Sequence, residues 1–141
     1  MKGKICTVIG LAGGAVSSLF GGWNSAIAAL LVCMTVDYAT GLIVAGVFHS
    51  SPKSSGGGLE SGVGWKGLIK KFVTLLIVLV GNQMDLVLGV EYIRDAVVIG
   101  FCANECISIL ENAGLMGLPI PGVIRDAIDL LKSQSEAEER T

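Results

Sequence analysis

The sequence runs to 141 residues, with ten Lys or Arg, twelve Asp or Glu, a formal net charge of −2 and 52% apolar residues. Charged residues make up 16%, against roughly 25% in soluble proteins, and the mean hydropathy is +0.71. A disordered acidic chain, which needs low hydrophobicity, is excluded, as is a nucleic-acid binder, which needs a basic face. What remains is a small integral membrane protein with a single all-α domain.

Crossing a bilayer takes about 20 mostly apolar residues in a helix. Lys2 and Lys4 precede a first such segment, residues 5–22. Ala26-Ile27-Ala28 has the small-residue pattern of a signal-peptide cleavage site. The apolar run resumes directly after it, however, so an uncleaved first span is expected. Gly21, Gly22, Trp23 and Asn24 make a tight turn into a second span, residues 24–48, with Trp23 suited to the membrane interface. A Gly/Ser-rich loop follows over residues 49–66 and reads as flexible by composition. Third and fourth spans are expected over residues 68–90 and 92–111. Pro119 and Pro121 then forbid helix continuation. Residues 122–132 read as a short amphipathic helix with Ile124, Ala127, Ile128 and Leu131 on one face, suited either to surface packing or to the membrane interface. The remaining polar tail, residues 133–141, is expected to be disordered.

Residues 1–121 thus form a transmembrane helical domain and residues 122–141 a polar appendage. Lys2 and Lys4, and Lys53, Lys66, Lys70 and Lys71 between the second and third spans, set the orientation. Four spans place both termini and the Gly-rich loop in the cytoplasm. Three spans remain the alternative, because the first segment is rich in Gly and Ser.

Cys6, Cys33, Cys102 and Cys106 all lie in apolar surroundings and read as small membrane-buried side chains. The single histidine, His49, lies in the loop. No metal site and no nucleophile–base pair is therefore expected. The Gly-rich loop lacks the Gly-Lys-Ser/Thr ending of a phosphate-binding loop. The chain reads as a non-enzyme without a cofactor.

The informative residues are the small and polar ones inside the spans. Gly10, Gly14, Ser18 and Gly22 step by four, with Gly13, Ser17 and Gly21 as a neighbouring row. Such a face lets helix backbones approach closely in lipid, within one chain or between chains. Ser25, Ala29, Cys33, Asp37, Gly41 and Ala45 repeat the spacing in the second span. An ionised aspartate at the bilayer centre costs about 2.5–3.5 kcal/mol on insertion scales. Asp37 should therefore face a partner helix or a water-filled space, or be protonated there. Asn82 and Asp85 share a face of the third span, and Asn104, Ser108, Glu111 and Asn112, flanked by Glu105, share one of the fourth. Polar stripes in a bilayer need cover. Two arrangements supply it: mutual hydrogen bonding within one compact bundle, or oligomerisation around an aqueous lumen. The number of stripes favours the second.

Asp37-Tyr38-Ala39-Thr40-Gly41, followed by Ala45, resembles the aspartate–Thr–Gly signature of a phage holin family that includes holin-like proteins linked to release of large clostridial toxins. The run from Asn104-Glu105 through Ser108-Ile109 and Glu111-Asn112 to Pro119-Ile120-Pro121 resembles its second signature. The resemblance covers nearly the whole chain, apart from the Gly-rich loop over residues 54–64. It implies a holin: a homo-oligomer of the bacterial cytoplasmic membrane that opens lesions through which a cytoplasmic endolysin, or a toxin, is released, leading to host lysis. Direct contact with the endolysin is not implied. The polar assembly face would be Asp37, Thr40, Asn82, Asp85, Asn104, Glu105, Ser108, Glu111 and Asn112. Two further readings stay open, a small ion channel or transporter using Asp37 and Glu105, and a non-conducting assembly factor or holin antagonist.

Overall fold

The computed structural model describes residues 1–140, and of their side chains all but those of Ile128, Leu131, Lys132, Gln134, Ser135, Glu136, Glu138 and Glu139. The described residues form five helices: α1 (Lys2–Leu19), α2 (Ser25–Gly46), α3 (Ser61–Leu88), α4 (Ile93–Leu115) and α5 (Gly122–Glu139). The all-helical class expected from the sequence is the observed one.

Local chemistry explains each boundary. Gly21 and Gly22 adopt φ of 83° and 90° and end α1. A Cβ on Gly21 would lie 2.3 Å from the Asn82 Oδ1, so this turn accepts no side chain. Asn24 caps α2 by accepting from the Ile27 N–H at 3.0 Å. α3 ends on Gly89, left-handed at φ 68°, whose N–H bonds back to the Asp85 carbonyl. After α4, Gly117 (φ 81°) turns the chain toward Pro119 and Pro121.

α2, α3 and α4 pack as a three-helix bundle, with α2 closest to α4, while α1 touches α3 only near its C-terminal end. Ile27, Leu30, Met34, Val78 and Val98 form the apolar core. Its surroundings invert the soluble pattern. Val32, Phe72 and Ile99 are 62%, 61% and 65% exposed, while Asp37, Asn82, Asp85, Glu105 and Asn112 are each at most 8% exposed.

The structure departs from expectation in four places. Among the described residues, one helix, Ser25–Gly46, is long and apolar enough to cross a membrane by length and composition, against four expected spans. Lys2, Lys4 and the Gly/Ser rows dilute α1, and the polar stripes interrupt α3 and α4. α3 begins at Ser61, well before residue 68, because Ser61–Gly67 winds into the helix rather than extending the loop. The Gly-rich loop is turned back on itself: the Ser51 N–H bonds to the Gly57 carbonyl at 3.0 Å and the Ser55 hydroxyl to Glu60 at 2.9 Å. Finally, α5 extends to Glu139, through the tail expected to be disordered. Of its expected apolar face, Ile128 and Leu131 have side chains outside the described set, while Ile124 and Ala127 are exposed.

Candidate functional site

Three helices contribute one inward-facing seam each, and each seam repeats every seven residues. On α2 it runs Leu30, Asp37, Val44; on α3, antiparallel, Lys71, Val78, Asp85; on α4, Val98, Glu105, Asn112. A seven-residue step returns a side chain to nearly the same helix face. The seams therefore stack in layers. Leu30, Val78 and Val98 meet in an apolar layer, all at most 1% exposed. One heptad further toward the loop, the same three helices bring together Asp37, Lys71 and Glu105.

In that charged layer the Lys71 ammonium donates to the Asp37 Oδ2 at 2.7 Å and to the Glu105 Oε2 at 2.8 Å. The Asn112 amide adds a third side, donating to the Asp37 Oδ1 at 3.2 Å and to the Thr40 Oγ at 2.9 Å. The Thr40 hydroxyl in turn donates to the Val36 carbonyl at 2.8 Å. Two carboxylates around one ammonium leave one excess negative charge when both are ionised. Charges taken out of water need such pairing and further hydrogen bonds, since leaving one unpaired costs about 3–5 kcal/mol. The stripe expected on Asp37 thus finds its cover inside a single chain.

The charged layer forms the floor of a cavity of about 410 Å³, roofed by the Gly-rich loop. Lys53 and Glu60 of the loop region and Lys70, Ser108 and Glu111 of α3 and α4 line it together with the three charged residues. The walls can hold water and charge. Among the described residues no group of three or more His, Cys, Asp or Glu is arranged to hold a metal ion.

The expected site residues separate into three places. Asp37, Thr40, Glu105 and Asn112 share the network, and Asn104, Ser108, Glu111, Gly41 and Ala45 line its cavity, with Asn104 and Glu111 on the exposed rim. Asn82 and Asp85 lie at the opposite end of the bundle. The Asp85 carboxylate accepts from the Ile93 and Arg94 N–H groups at 2.8 and 3.0 Å, capping α4 across the α3–α4 turn. A negative charge there also meets the positive end of the helix dipole. Asn82 donates to the Leu19 carbonyl at 3.0 Å and Arg94 to the Phe20 carbonyl at 2.8 Å, closing the C-terminus of α1. The small residues of α1 form the third group: a Cβ on Gly10 or Gly14 would meet no neighbouring atom within 4 Å, and the Ser18 hydroxyl bonds within its own helix at the Ala15 carbonyl, while Gly22, expected on the same face, lies beyond the helix in the left-handed turn that ends it.

Lys71 is the member that sequence reasoning misses, because in the sequence it reads as an orientation signal. The seven-residue spacing Lys71–Val78–Asp85, parallel to the two other seams, is the pattern that carries it.

An apolar exterior around a helical bundle that buries acids and amides is the pattern of a helical membrane protein. Residues 14–133 match the model of the bacteriophage holin family. The chain belongs to that family, a family of non-enzymatic proteins of the cytoplasmic membrane. A probable holin of Bacillus phage phi105 is 32% identical over 108 residues, which cover 76% of this chain and 71% of that one. Uncharacterized proteins of Halalkalibacterium halodurans and Listeria innocua are 40% and 38% identical, covering 84% and 96% of this chain and 86% and 94% of their own lengths. No solved structure matches the chain.

Proposed function

We propose that this protein is the lesion-forming holin of a lysis system. It accumulates in the cytoplasmic membrane as a multi-pass helical protein with both termini in the cytoplasm. At a threshold density it assembles into homo-oligomers that let an endolysin reach the cell wall. The observation that carries this reading is the Asp37–Lys71–Glu105 layer, a set of charges buried within an exterior suited to lipid. At low density the charges are matched inside one subunit, which makes the subunit tolerable to the bilayer. At high density neighbouring subunits offer the same groups, so within-chain pairs are exchanged for between-chain pairs at little electrostatic cost. The released polar faces, with Ser108, Glu111 and Asn104 beside them, then line water. Collapse of the membrane potential assists, since moving one charge through 100 mV is worth about 2.3 kcal/mol.

The cavity ending on the charged layer favours a second reading, a small channel of fixed stoichiometry. Regulated expression with a signal-less endolysin separates the two. The holin reading expects normal growth, then abrupt respiratory arrest and lysis. Graded ion flux without lysis supports the channel. Delay of lysis caused by another holin marks an antagonist instead.

A further inference from the structure

The charged layer is bordered by two thiols that the assembly mechanism does not use. Cys33 lies one turn before Asp37 on α2, and Cys106 directly follows Glu105 on α4. Their Sγ atoms are 4.0 Å apart, and both thiols are free. Cys106 is exposed and Cys33 half-buried, with Val32 and Val36 exposed beside it. The pair therefore opens onto the apolar surface rather than the cavity. A disulfide needs about 2.0 Å between sulfurs. The sulfurs already approach to 4.0 Å across the most extensively packed helix pair of the bundle, and bonding requires them to close by about 2 Å.

We propose that Cys33 and Cys106 are a redox-modification site. A lipid-soluble two-electron oxidant of the quinone class couples them into a disulfide that staples α2 to α4 beside the charged layer. Both S–H bonds break and one S–S bond forms, and the quinone takes up the two electrons and two protons as quinol. The oxidant class follows from the location, since a thiol pair on an apolar surface meets reagents dissolved in the lipid. The functional consequence rests on the holin reading above. A stapled α2–α4 pair holds Asp37 and Glu105 on the same Lys71 and prevents the exchange of partners, so oxidation delays lesion formation.

The test uses the full chain in phospholipid vesicles exposed to a fully ring-substituted short-chain benzoquinone, which has no free ring carbon for thiol addition, followed by digestion without reductant and mass mapping. A Cys33–Cys106-linked peptide is expected in most chains, removable by reductant. Cys33→Ser or Cys106→Ser abolishes it and Cys6→Ser leaves it. Thiols that stay free, that join Cys102 instead, or that link mainly between chains overturn the site. In cells, the same quinone given before lysis onset is expected to delay lysis at least twofold in the wild type and not in Cys106→Ser. Linkage without that delay overturns the staple and leaves the holin reading standing. Linkage in vesicles from a chain that never causes lysis overturns the holin reading and leaves the thiol site standing.

Discussion

The two central layers of the bundle are one heptad apart on the same three helices and differ only in chemistry. Leu30, Val78 and Val98 fill one; Asp37, Lys71 and Glu105 fill the other. In water the first would drive folding. In lipid it does not, because acyl chains are as apolar as the side chains, and only close packing distinguishes neighbour from solvent. The charged layer carries the specificity: each group must find an opposite charge, and within the subunit Lys71 supplies it to both acids. The apolar layer holds the helices by packing alone, and the charged layer adds the pairing whose loss costs the subunit most.

The largest effect is expected from removing the shared cation. Lys71→Met leaves Asp37 and Glu105 buried without a counter-charge and should cost about 3–5 kcal/mol, read as loss of the folded subunit during thermal unfolding in detergent. Adding Asp37→Asn and Glu105→Gln to that variant should recover most of the stability but not timed lysis. Recovery of both would assign the layer a purely structural role.

Asp37→Asn should cost less, about 1–3 kcal/mol, because the Asn112 and Thr40 contacts can persist while Lys71 keeps Glu105. Its informative readouts are lysis onset and oligomer size in membranes. If neither moves, the Asp37 charge is dispensable for assembly.

At the far end of the bundle, Asp85→Ala removes the cap of α4 and should cost about 0.5–2 kcal/mol. Hydrogen exchange should report it as earlier opening of the first turn of α4, with oligomer size unchanged. A changed oligomer size would move Asp85 from capping to the assembly face.

The smallest effect on the subunit is expected at Gly14→Val, where a side chain meets open space. Unfolding should shift by no more than a few tenths of a kcal/mol. Oligomer size tests the surface directly: a decrease places the small-residue face of α1 between subunits, and no change leaves it against lipid.

Much of this arrangement was legible from residue spacing. The five helices follow from apolar runs punctuated by Gly, Asn and Pro, and Asp37, Glu105 and Asn112 stood out because acids and amides in apolar runs demand cover. Lys71 did not stand out, because a lysine near the start of an apolar segment is also what a cytoplasmic loop supplies, and only the register between helices tells the two apart. Asn82 and Asp85 look like any other polar stripe. Their capping role depends on the α3–α4 turn folding back and on α1 ending beside it, contacts between residues distant in sequence. The start of α3 was obscured by glycines that favour loops in isolation but are held in a helix here, where Gly64 and Gly67 lie against Tyr38.

The most direct test of partner exchange is charge complementation between chains. One chain carries Lys71→Met and the other carries Asp37→Asn with Glu105→Gln, so neither holds both signs in its central layer. Each alone is expected to fail to lyse the cell, and the two co-expressed are expected to assemble and restore timed lysis. Both chains accumulating in the membrane without lysis would contradict the account, because the charges would then pair only within a subunit.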